Sequence, residues 1–111
     1  RTAMTFSNTE TAVGGSETTV LDKFDVALYN RMTIQIFNGD GSNAATAKVY
    51  GSLKDEPGTE GDTDWTQIGD DISVGTSNAL KAISTTALKH LCVRATGNGA
   101  DLTVIVYAEQ V

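Results

Sequence analysis

Half of the acidic side chains fall in one stretch. Asp55, Glu56, Glu60, Asp62, Asp64, Asp70 and Asp71 make seven of the fourteen acids, with no Lys or Arg among them. A loop this rich in carboxylates has the ligand chemistry of a hard cation, since calcium takes about six to eight oxygens from flexible backbone. The candidate ligands are Asp55, Glu60, Asp62 and Asp64. Asp62-x-Asp64 matches the opening of an EF-hand loop, but the next ligand positions fall on Thr66 and Ile68, and no flanking helices are expected. The other reading, which the residues favour, is a solvated loop whose charge discourages edge-to-edge strand pairing. Calcium is the sole cofactor to consider, and none is required.

Nucleophilic and zinc chemistry find less support. The sole histidine, His90, and the sole cysteine, Cys92, lie two residues apart. Zinc needs about four ligands, so this pair cannot make a structural site. On one strand face the two stand about 6–7 Å apart, beyond hydrogen-bond reach for a Cys–His nucleophile. Cys92 reads instead as a small, half-buried apolar residue. There is no Gly-x-Ser-x-Gly elbow and no glycine-rich loop opening a helix. The expectation is that the chain is not an enzyme. The exposed acidic loop offers no means of raising a carboxyl pKa for glycoside hydrolysis.

Charge and length bound the remaining classes. A chain of 111 residues makes one domain, and its formal net charge is -6. Its eight basic residues are scattered singly, so a nucleic-acid partner is not expected. No apolar run approaches the roughly 20 residues of a membrane span. A lone cysteine, and an N-terminal stretch without a signal-peptide apolar core, point to folding in a reducing cytoplasm.

The elements that must position these residues are short strands. Residues 1–15 read as a flexible or extended N-terminal arm with a weak strand near Ala3 to Ser7, and residues 16–111 as the folded domain. A strand near Thr18 to Leu21 precedes a turn before Tyr29. Met32, Ile34 and Ile36 share one face of the next strand, and Thr33, Gln35 and Phe37 the other. Asn38 to Asn43 is a turn cluster, and the strand from Ala45 to Leu53 is expected to form a hairpin with the one before it. Short strands follow at Trp65–Ile68 and Asp70–Gly75. Between Ser77 and Ser84 a helical turn competes with a strand. The strands Lys89–Ala95 and Asp101–Glu109, joined by Thr96-Gly97-Asn98-Gly99-Ala100, are expected to form a final hairpin.

Eight or nine such strands predict an all-β, two-sheet antiparallel β-sandwich, jelly-roll-like, with an immunoglobulin-like topology as the alternative. The candidate interface aromatics are Phe6 in the arm, Tyr50 and Tyr107. Tyr50 and Tyr107 lie opposite the aliphatic faces of their strands, where a sugar-binding platform would also place them.

Five segments carry a family resemblance: Met32-Thr33-Ile34-Gln35-Ile36-Phe37-Asn38, Val49-Tyr50-Gly51-Ser52-Leu53-Lys54-Asp55, Asp64-Trp65-Thr66-Gln67-Ile68-Gly69, Leu91-Cys92-Val93-Arg94-Ala95-Thr96-Gly97 and Leu102-Thr103-Val104-Ile105-Val106. Their order resembles the small β-sandwich proteins of tailed-phage virions, above all head decoration (cement) proteins and related fibre-base modules. The resemblance spans roughly residues 18–110, and the long acidic loop departs from it. It implies a non-enzymatic capsid-stabilising component that folds in the host cytoplasm and resides in the virion. Its partners would be the major capsid protein lattice, copies of itself, or both, as a homo-oligomer with a trimer favoured. The N-terminal arm would tether it to a neighbour. The alternative function is a carbohydrate- or cell-surface-binding module of a fibre or secreted protein.

Overall fold

Alternating apolar and polar side chains make a strand two-faced, and two apolar faces must meet to exclude water. The computed structural model describes residues 3–40, 42–60, 63–83 and 88–111, with backbone alone at 81–83. Among the described residues the strands are β1 (Ala3–Val13), β2 (Thr18–Asp25), β3 (Arg31–Asn38), β4 (Ala45–Ser52), β5 (Thr66–Gln67), β6 (Ile72–Val74), β7 (Asn78–Ile83), β8 (His90–Thr96) and β9 (Ala100–Glu109). The first sheet has the order β1-β9-β3-β7, and the second β2-β8-β4-β5, with β6 also on β4. Every pairing is antiparallel. Most connections cross between the sheets, which is the jelly-roll arrangement rather than the immunoglobulin-like one. β5 and β6 both lie along β4, as two pieces of one strand interrupted near Gly69, whose φ is 71°.

The core is the meeting of the two inner faces. Met32, Ile34 and Ile36 of β3 and Val104, Val106 and Ala108 of β9 face Ala47 and Val49 of β4 and Leu91, Val93 and Ala95 of β8, all fully buried. The side of the sandwich between β1 and β2 is closed by aromatic stacking. The Phe6 and Phe24 ring centroids lie 4.2 Å apart at 28°, and Tyr29 meets Phe6 edge-on at 6.3 Å. Each such pair contributes about 0.5–1.5 kcal/mol beyond its buried area.

Both expected hairpins are absent. β3 and β4 lie in different sheets, as do β8 and β9. β3 pairs with β9 and β7, and β8 pairs with β2 and β4. The Asn/Gly clusters between these strands turn corners from sheet to sheet. At the first corner the buried Asn38 side chain donates to the Asn43 and Gly75 carbonyls, at 2.6 and 2.9 Å, and accepts from the Asp40 amide. At the second, the Gly97 and Gly99 amides donate to the Gly14 and Val13 carbonyls, and Gly99 has a φ of 96°.

Residues 3–13, expected as a flexible or extended arm with a weak strand near Ala3 to Ser7, form β1. β1 pairs with β9 in continuous register from Ala3↔Glu109 to Glu10↔Leu102. A bulge follows at Ala12, whose φ is 53° and whose amide donates to Asp101 Oδ1 at 2.9 Å. The strand near Thr18 continues to Asp25 and carries two register shifts against β8, which is why Val20 and Leu21 are both buried. Residues 78–83 are strand, not helix.

Candidate interaction surfaces

The outer face of the second sheet is covered by the acidic loop. His90, Cys92 and Arg94 alternate with the inward Leu91, Val93 and Ala95 along β8. Arg94 is the bolt of this layer. Its Nε donates to Glu17 Oε1 at 2.7 Å, its Nη1 to Thr19 Oγ1 at 2.7 Å and to the Glu60 carbonyl at 3.0 Å, and its Nη2 to the Glu17 carbonyl at 3.1 Å. Tyr50 Oη donates to the same Glu17 carboxylate at 3.1 Å. Burial first, and the Glu17 carboxylate second, push the Tyr50 phenol above its ordinary pKa.

Lysines fasten the rest of the loop. Lys23 Nζ donates to the Pro57 and Gly58 carbonyls, and the Lys23 amide to Glu60 Oε1. Lys54 pairs with Asp64 at 2.6 Å, and Lys89 with Asp55. Trp65 is buried at the loop's end, with Nε1 donating to the Gly58 carbonyl at 3.2 Å. Cys92 and Trp65 are buried yet stand outside the main core, so the loop shelters a second, thinner layer. Desolvation, with the Glu60 carboxylate as the next cause, pushes the Cys92 thiol up to about 12. Cys92 is thus fully buried, not half-buried as its position suggested.

Of the candidate calcium ligands, the three described, Asp55, Glu60 and Asp64, take separate hydrogen-bond partners. Hydrogen bonding to Lys89 holds the Asp55 carboxyl below its ordinary range, and Lys54 does the same for Asp64. Asp64 also accepts the Gly58 amide at 2.8 Å. Glu60 turns instead toward the Lys23 amide and toward Asp22, whose carboxyl its hydrogen bond holds low. Asp62 lies outside the described residues. Among the described residues no group of three or more His, Cys, Asp or Glu side chains could hold a metal ion. His90 borders an open hollow of about 390 Å³ with Lys23, Asp25, Asp55 and Glu56, and its Nδ1 lies 3.2 Å from the Lys54 carbonyl. These surroundings are charged and exposed, and they hold no nucleophile–base pair.

The three interface candidates are placed apart. Phe6 is half-buried in the aromatic cluster closing the β1–β2 side. Tyr50 is on the outer face of the second sheet, half-buried and bonded to Glu17. Tyr107 is on the outer face of the first sheet and exposed. Tyr50 and Tyr107 therefore cannot form one sugar platform.

That first-sheet face is what pattern reading underrated. Register lines up Thr5–Tyr107–Thr33, Ser7–Ile105–Gln35–Leu80 and Thr9–Thr103–Phe37–Asn78 across the strands. None of these residues is Asp, Glu, Lys, Arg or His. Phe37, Leu80 and Tyr107 are 37%, 66% and 45% exposed, so no other part of the described chain covers them. Among the described side chains, charge stands at the ends of the face: Arg31 pairs with Glu109 at 2.9 Å, and Asp101 accepts the Ala12 amide. The acids gather on the other sheet and its loop. β1 is also an open edge: among the described residues it pairs only with β9, and of its eleven residues only Val13 is buried.

No protein-family model matches the chain. No curated protein matches it either. Solved structures share its fold. The SPBc2 prophage-derived protein YomS aligns with a TM-score of 0.53 at 16% identity, over 95% of this chain and 94% of that one. PirA aligns at 0.54 and 18%, over 94% of each chain. A structure described as Bacillus endospore appendages forming disulfide-linked pili aligns at 0.52 and 12%, over 99% of this chain and 88% of that one. Identities this low identify a fold, and the chain is an all-β, two-sheet jelly-roll sandwich of the kind found in those proteins.

Proposed function

We propose that the protein is a non-enzymatic structural module of a tailed-phage virion, a decoration protein that adds to the major capsid protein lattice and stabilises the shell. The observation that carries this is the open edge of β1. From Ala3 to Glu10 the side of β1 away from β9 meets no second strand among the described residues, and β1 holds no Lys or Pro to discourage pairing. Strand addition at such an edge gives affinity through main-chain hydrogen bonds, repeated over every copy on a symmetric lattice. Met4, half-exposed beside Leu28 over a hollow of about 400 Å³, supplies an apolar pocket next to that edge. The motif resemblance to phage decoration proteins, and the occurrence of the same fold in a prophage-derived protein, support this reading.

The test is co-sedimentation with purified, undecorated phage shells. The wild-type chain is expected to pellet at a fixed ratio to capsid subunits. Met4→Lys, which places a charge at the edge while leaving the core intact, is expected to weaken pelleting at least about tenfold. Pelleting unchanged by Met4→Lys would discard the edge, and no pelleting of the wild type would discard the decoration role.

A further inference from the structure

The geometry points to the outer face of the first sheet as a self-association surface, whose occupant is the same face of a second copy. This rests on the structural-module reading and adds to it a partner and a surface. Charge segregation selects the occupant. Each copy carries a net charge of -6, so most approaches of one copy to another are repulsive. The three rows that begin at Thr5, Ser7 and Thr9 are the exception, because none of the residues named in them is Asp, Glu, Lys, Arg or His. Ile105 stands at the middle, on the central strand β9, with Tyr107, Phe37 and Leu80 around it and Thr and Gln between them.

Two flat antiparallel sheets pack face to face about 10 Å apart with their strand directions near-aligned, as the two sheets within one domain do. A single self-complementary face closes as a two-fold pair, a different closure from the trimer that the family resemblance implies. Four strands at about 4.8 Å spacing and seven residues at about 3.4 Å give roughly 450 Å² of flat footprint per copy. Two faces with their side-chain relief reach about 1,000 Å², the lower bound of specific interfaces. The pair is therefore weak, with a Kd of order 10–1,000 µM, and gains strength where copies are held close together.

Sedimentation equilibrium from about 10 µM to 1 mM tests it. The wild type is expected to rise from the 11.7 kDa monomer towards twice that mass. Ile105→Glu and Leu80→Glu, each checked for wild-type melting, are expected to weaken the pairing at least about tenfold by burying unpaired like charges. A mixture of Ile105→Glu and Ile105→Lys chains is expected to pair again, which a merely destabilised fold would not do. A wild type that stays monomeric throughout, or variants that pair as it does, or a mixture that stays apart, overturns the inference. Shell pelleting of the Ile105→Glu chain separates this from the decoration role: a monomer that still pellets loses the pairing and keeps the attachment.

Discussion

Removing the Arg94 guanidinium tests whether the acidic loop is a fastened cover. Its side chain is only 14% exposed and donates four hydrogen bonds, two of them to backbone carbonyls and one closing an ion pair with Glu17. Hydrogen bonds to a charged group contribute about 1.5–3 kcal/mol each and do not add in full. Breaking a fully buried pair costs about 3–5 kcal/mol, and water recovers part of that at the partly exposed Glu17. Arg94→Ala is therefore expected to destabilise the fold by about 2–4 kcal/mol, or to lower the melting temperature by roughly 8–16 °C for a domain of this size. Arg94→Lys keeps the charge without the fork and is expected to recover less than half. Urea titration reads the stability. Labelling of Cys92 by an aromatic disulfide reagent reads the cover, since the thiol is buried only while the loop lies over it. A loss under about 0.5 kcal/mol with Cys92 still protected would falsify the bolt assignment.

The other expectations follow from burial and charge. The Cys92 thiol, held at about 12 against an ordinary 9.0, adds stability that is complete below about pH 9 and lost as pH rises towards 12. Alkaline melting curves should fall across that window, and Cys92→Ala should flatten them. Asp55 and Asp64, both held below the ordinary 3.8 by lysines, give a contribution present above that value and lost as pH falls through their lowered pKa values. Melting should stay level from pH 7 to about 5 and decline only below about 4. At Gly51 an added Cβ would meet Ile68 Cδ1 at 2.7 Å and both Leu88 methyls at 3.0 Å. These are movable side-chain ends, so Gly51→Ala should cost about 1 kcal/mol, while Gly51→Val should cost about 2–3 kcal/mol by chemical denaturation.

The strands were legible because alternation is a local property. Met32, Ile34 and Ile36 inward against Thr33, Gln35 and Phe37 outward, and Val104 and Val106 against Ile105 and Tyr107, appear in the structure as they read in the sequence. Pairing was not legible. Asn38–Asn43 and Thr96–Ala100 carry the same turn chemistry whether the chain folds back within one sheet or turns to the other, and here both cross over. β2 blurred its own pattern, since bulges put the adjacent Val20 and Leu21 both out of water. The acidic loop read as a solvated loop because most of the cations that fasten it are distant in sequence, Lys23 on β2 and Lys89 and Arg94 on or beside β8, with Lys54 alone at its own start. The neutral first-sheet face was written in the outward residues of four strands, but no single strand shows it. It becomes a surface only once β9 lies between β1 and β3.

The most direct measurement of the structural role is quantitative mass spectrometry of density-gradient-purified phage particles from cells producing this chain. The decoration reading predicts copies in fixed ratio to the major capsid protein, in a multiple set by the shell's symmetry. Trace, variable amounts on the particles, with the bulk of the chain free in the lysate, would contradict it.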